Sequence, residues 1–179
     1  MKKIFFLMTL FLITNTFAAD DKETFKQLKQ LEGKWVGTLK DSNGGSQTLN
    51  ISYSIKSNGS ALLEESNEGG TEMMTIFNLH NDKILSTHYC GAMNRLQKRI
   101  SKPCGIHRPV SELQESNQGN INFITNQSKS GLDPNKEFFV GSWKFDLMPE
   151  DEDTFIYSYV ILGTEGGDVT RTAEMKRVK

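Results

Sequence analysis

The chain is poor in the side chains that most often carry chemistry. Only three histidines and two cysteines occur in 179 residues, and all five (His80, His88, Cys90, Cys104 and His107) fall in one stretch. Any histidine or thiolate chemistry must therefore be sought there. No apolar run reaches the roughly 20 residues that span a bilayer as a helix; the longest, IFFLMTLFLI, covers residues 4–13. A basic stripe is also missing. Asp and Glu number 22 against 21 Lys and Arg, and the only local basic group is Arg95, Lys98, Arg99 and Lys102, which argues against a nucleic-acid partner. Past the first third of the chain no segment has helical periodicity, so no parallel β-α-β unit can be built.

What is present begins with a leader. Met1, Lys2 and Lys3 form a basic start, the apolar run follows, and TFAA at 16–19 offers small residues for a signal peptidase. Cleavage is expected after Ala18, leaving residues 19–179 as one domain in the periplasm or outside the cell. No cysteine follows the cleavage region, so no lipid anchor is expected.

Phe25, Leu28 and Leu31 recur at helical spacing, with Asp20 or Asp21 to cap the start and Gly33 after the last periodic residue. From Trp35 the period becomes two. Leu49, Ile51, Tyr53 and Ile55 share a face, as do Trp143, Phe145 and Leu147, and Phe155, Tyr157, Tyr159 and Ile161. Gly44-Gly45, Asn58-Gly59, Gly69-Gly70, Asn81-Asp82, Gly119-Asn120 and Gly166-Gly167 punctuate these segments as hairpin turns. Each pair has strand patterns on both sides, so none is a phosphate loop. About ten short antiparallel strands are expected, in an all-β sandwich or barrel behind one short helix.

Two features point to a barrel. Gly33-x-Trp35 opens the first strand directly after the helix, and the last strand places Arg171 on the face of Val169, Ala173 and Met175. If the two strands are neighbours, the Arg171 guanidinium can lie across the Trp35 indole and reach helix or turn carbonyls. Gly33, Trp35 and Arg171 at the chain ends resemble the calycin superfamily of lipocalins, fatty-acid-binding proteins and nitrobindin-like barrels. Residues 61–94 more closely resemble a group of exported bacterial calycin-like proteins of uncharacterised function, through Glu64 or Glu65, the strand Met73 to Leu79, Asn81-Asp82, and Thr87-His88-Tyr89-Cys90. Neither the lid of fatty-acid-binding proteins nor the carboxy-terminal helix of lipocalins has a counterpart. The resemblance implies an antiparallel up-and-down barrel able to enclose one small, largely apolar molecule.

Candidate contacts for that molecule are Tyr53, Met73, Phe77, Trp143 and Tyr157 from inward faces, with His88 and Tyr89 as polar groups; each of the first five is equally at home as core packing. No cofactor is expected, and a monomer is. For the cluster at 80–107 several readings stand side by side. Cys90 and Cys104 can form a disulfide, closing a loop of about 15 residues for on the order of 3 kcal/mol. His88, Cys90, Cys104 and His107 have the ligand types of a zinc site, although His-x-Cys on a strand is an uncommon spacing. Haem ligation by analogy with nitrobindin-like barrels lacks a histidine after His107. Cys90 with His88 as base could be nucleophilic, but no oxyanion donor or orienting carboxylate is placed beside them. Besides a carrier, the chain could be a barrel enzyme using His88, or an interaction module presenting the basic loop from Arg95 to Arg108.

Overall fold

The computed structural model of the protein describes residues 20–90, 110–117, 119–148 and 150–179. A helix, α1 (Asp21–Lys29), precedes ten strands: β1 (Gly33–Asp41), β2 (Ser46–Lys56), β3 (Ala61–Glu68), β4 (Thr71–His80), β5 (Lys83–Cys90), β6 (Val110–Asn117), β7 (Asn120–Thr125), β8 (Phe139–Leu147), β9 (Thr154–Leu162) and β10 (Val169–Arg177). Every strand pairs antiparallel with its sequence neighbours and β1 pairs with β10, closing the sheet into an up-and-down barrel. Closure gives every strand a neighbour on both sides, although β5 and β6 pair over only three residues.

The turns follow their local chemistry. Asn81 and Asp82, at φ 49 and 59, form a two-residue connection of left-handed residues between β4 and β5. One element was absent from the sequence expectation: a helical turn, α2 (Gln127–Ser130), between β7 and β8. Asn126 caps it by accepting from Lys129 N at 3.0 Å, and Gly131 ends it at φ 67. Four residues are too few to show a period.

The barrel is sealed at one end by α1, whose Phe25 and Leu28, with Leu31 beyond, are buried against it. Asp20 caps the helix by accepting from Lys22 N at 3.0 Å. Asp21, 8 % exposed, then ties the helix to β5: its carboxylate accepts from Ile84 N at 2.9 Å and from Lys83 Nζ at 3.0 Å. Asp21→Ala leaves the buried Ile84 N–H without a partner. It should cost about 1–3 kcal/mol, read as a lower urea midpoint at unchanged m-value.

The same end carries a correction. The cation over the Trp35 indole is Arg177, 4.2 Å from the ring, and not Arg171. Arg177 Nη1 donates to Glu32 O at 2.8 Å and Nη2 to Gln30 O at 3.2 Å, satisfying carbonyls left over where the helix ends, and Nη2 also donates to Glu152 O at 3.0 Å in the turn before β9. Trp35 Nε1 donates to Leu31 O at 2.7 Å. Both arginines point inward on β10, six residues apart, so alternation alone cannot choose between them. Register does, because Trp35 lies opposite Arg177 and Asp41 opposite Arg171. Gly33, at φ 130, lets the chain leave the helix beneath this guanidinium; an added Cβ would come within 2.9 Å of Arg177 Nη1.

Candidate functional site

The barrel interior divides into two halves. Next to α1 it is aromatic: Trp35 and Phe155 meet edge to face at 4.7 Å, Phe77 lies 5.4 Å from Phe123 and 5.8 Å from Phe145, and Phe145 touches Tyr157 at 5.4 Å. Phe77 is thus core packing. Beyond these rings the inward positions turn polar: Glu64, Ser66, Thr75, Ser86, His88, Ser111 and Thr125 are all buried.

Glu64, fully buried on β3, is the hub. Tyr53 OH donates to its Oε2 at 2.7 Å, while Thr75 Oγ1 at 3.1 Å and Tyr157 OH at 3.4 Å donate to Oε1. Burial pushes the Glu64 carboxyl above the usual carboxylate range, opposed by the Tyr53 hydrogen bond and the nearby His88. Burial, and then the Glu64 charge, drive the Tyr53 and Tyr157 hydroxyls well above 10, so both remain neutral donors.

His88 joins this network through Thr75, whose Oγ1 lies 2.9 Å from Nδ1. Its ring sits 5.2 Å from that of Trp143. The other nitrogen, Nε2, is buried without a hydrogen-bond partner among the described residues, and so is Ser86 Oγ. The two residues share the inward face of β5, about 7 Å apart along the strand. Across the seam, β6 pairs with β5 only at Leu85, Ser86 and Thr87, so His88 to Cys90 run past the start of described β6.

A second carboxylate lies further toward the end opposite α1. Glu68, 8 % exposed, accepts from Tyr159 OH at 2.7 Å, Arg171 Nη1 at 3.1 Å and Gln47 Nε2 at 3.3 Å. Its carboxyl is also raised by burial, against the pull of Tyr159 and Arg171. This is the partner that an inward Arg171 requires.

Of the sequence candidates, Tyr53, Phe77, His88, Trp143 and Tyr157 are buried inside the barrel. Met73 is half-buried on the inward face of β4, opposite Cys90. Tyr89 is a correction: it alternates with buried His88 and pairs across the strands with exposed Met74, which puts it on the outer wall. Cys104 and His107 lie outside the described residues, as do the leader and the Arg95–Arg108 loop, so the disulfide and zinc pairings have only their Cys90 and His88 halves in view. Among the described residues no three metal-ligating side chains gather.

Glu64, Glu68, Thr75 and Tyr159 were not singled out as site residues from sequence. The β3 segment ALLEESNE doubles both its apolar and its acidic residues, so Leu62/Glu64 and Leu63/Glu65 fit either face equally well. The usable signal was the resemblance, which held Glu64 or Glu65 without choosing.

No family model and no curated protein matches the chain. Solved structures similar to it include a redesigned β-barrel (TM-score 0.38, 9 % identity, covering 84 % of this chain and 94 % of that one). Another is EF1p2_mFAP2b bound to DFHBI (0.42, 8 %, 86 % and 98 %), and a third is a de novo designed fluorescence-activating β-barrel (0.40, 9 %, 84 % and 95 %). Likeness at these scores says nothing of the residues inside the barrel.

Proposed function

We propose that this protein is an exported, calycin-like barrel that binds one small, largely apolar molecule in the polar half of its interior, without catalysis. The observation that carries the reading is the pair of partnerless buried polar atoms, His88 Nε2 and Ser86 Oγ, on one inward face. A barrel interior serving only as core would not hold two such atoms, each costing about 1–3 kcal/mol. The calycin assignment draws support from the closed meander, the helix at one end and the Gly33-x-Trp35 start beneath a cation of the last strand. Export rests on the leader pattern of residues 1–19 and the disulfide on the placing of Cys90 and Cys104. Inside the barrel, His88, Tyr157 and Trp143 are the contacts, and Tyr89 is dropped from the set.

The reading is tested by native mass spectrometry of the protein recovered from its own cells. A noncovalent adduct, and a chain two hydrogens light from a Cys90–Cys104 bond, are expected. Ser86→Ala should raise the unfolding midpoint of the empty protein slightly, because it removes an unpaired hydroxyl, while weakening adduct retention. His88→Ala should abolish retention with the fold intact. Empty protein from the native source, or full retention in both variants, would contradict binding at this face.

A further inference from the structure

The carboxyl of Glu64, the hydroxyl of Thr75 and the imidazole of His88 form one continuous chain ending at a nitrogen that has no hydrogen-bond partner among the described residues. We propose that the Glu64–Thr75–His88 chain makes Nε2 a switchable ligand contact: an acceptor for a ligand's O–H or N–H at the lower proton count of the chain, and a donor when it holds one proton more. The proposal rests on the binding reading above and adds the chemistry of the ligand's polar end.

Thr75 Oγ1 has a single hydrogen and two neighbours, Glu64 Oε1 at 3.1 Å and His88 Nδ1 at 2.9 Å. Tyr53 and Tyr157 are already donors into Glu64. When Glu64 is ionised and the imidazole neutral, the Thr75 proton must point at the carboxylate; turned the other way, two oxygens would face each other lone pair to lone pair. Thr75 then needs a donor, which among the described residues only Nδ1–H can supply. The second nitrogen is left with a lone pair, buried and aimed into the barrel. Adding one proton reverses this wherever it settles. On the imidazole it gives Nε2–H directly. On Glu64, the carboxylic acid donates to Thr75, Thr75 donates to Nδ1, and the remaining imidazole proton again sits on Nε2. Burial raises the Glu64 carboxyl, and the outcome at Nε2 is the same for either placement.

The other groups in this half do not disturb the count. Among the described residues, the titratable or charged side chains facing the chain are Tyr53 on β2, Glu68 on β3, Cys90 on β5, Tyr157 and Tyr159 on β9 and Arg171 on β10. Inward positions of β4, β6, β7 and β8 here are Thr75, Ser111, Thr125 and Trp143, none of which titrates. Glu68 is engaged by Tyr159, Arg171 and Gln47. Among the described residues Thr75 is the sole hydrogen-bond partner of His88.

At the lower proton count the site therefore favours an apolar body bearing one hydroxyl or N–H, such as a phenol or an alcohol, over its ether. Two measurements on the whole protein test this. In nitrogen-15 spectra of the histidine-labelled chain, the high-pH form of His88 should carry its proton on Nδ1, with a pyridine-type Nε2. Thr75→Val should shift it to the Nε2–H tautomer that free histidine prefers. A high-pH form already protonated on Nε2 overturns the relay. For the ligand, phenol and anisole serve as probes, since both accept but only phenol donates. Phenol should bind at least tenfold more tightly than anisole at the lower proton count of the chain, with the ratio falling toward one as pH is lowered and pH-independent in Thr75→Val. Equal affinity throughout overturns the selectivity while leaving binding itself intact. If neither probe binds and the native protein is empty, the binding reading fails, even with the tautomer as expected.

Discussion

Trp35→Ala is expected to lower stability by about 3–5 kcal/mol, the range for removing a large buried aromatic side chain. At the total stability of an ordinary domain, about 5–15 kcal/mol, this takes the protein close to unfolding at physiological temperature. Three losses fall together. The indole fills the space against Phe155 and the α1 residues, its Nε1–H holds Leu31 O, and Arg177 stacks on its face. Because β1 and β10 are the strands that close the barrel, local opening should follow the same seam. Hydrogen exchange of the β1–β10 amides should accelerate more than that of the β3–β4 amides. Trp35→Phe keeps the body and loses the hydrogen bond, for about 1 kcal/mol. Uniform acceleration around the barrel would show that closure does not depend on this contact.

Glu64→Leu is expected to cost about 3 kcal/mol or more, and Glu64→Gln little. Leucine fills the space but strands the Tyr53 and Tyr157 hydroxyls, each orphan costing about 1–3 kcal/mol, and leaves Thr75 with His88 alone. Glutamine keeps an oxygen and the shape but cannot ionise. The difference should depend on pH. Burial raises the Glu64 carboxyl above its ordinary value of 4.5, so the folded protein binds this proton more tightly than the unfolded chain. Its contribution is complete below about 4.5 and is lost as pH rises through the folded value. Glu68, raised in the same direction, adds to the trend. Stability of the native sequence should therefore fall from pH 5 to pH 8, and that of Glu64→Gln should fall less, overtaking it at the upper end. Urea midpoints at the two pH values decide this, and an unchanged slope in Glu64→Gln would assign the titration to Glu68.

How much of this was legible without coordinates can be seen residue by residue. The ten strands were readable because alternation and paired turn residues act over two to ten positions, and the sheet obeys them. Leu49 to Ile55 and Phe155 to Ile161 face as the period of two requires. His88 on an inward face was readable for the same reason, and Tyr89, its neighbour, was bound to face out. The cap of α1 and the helix against an apolar surface were equally local. Which arginine covers Trp35 was not, since Arg171 and Arg177 have identical parity on β10 and only the register between the first and last strands separates them.

The identity of the hub was undecidable for a related reason: doubled residues in ALLEESNE blur the parity of β3, and only the pairing of Tyr53 with Glu64 and of Glu64 with Thr75 sets which acid turns inward. The sequence by itself determined an all-β chain with a short capped helix, its turns and most inward faces, because propensity and pattern are properties of neighbours. Tertiary structure alone decided the register by which β1 and β10 close the barrel, that its interior is aromatic near α1 and polar beyond, and that His88 Nε2 is buried without a partner among the described residues. Those depend on contacts between residues 11 to 147 positions apart, whose geometry no local pattern encodes.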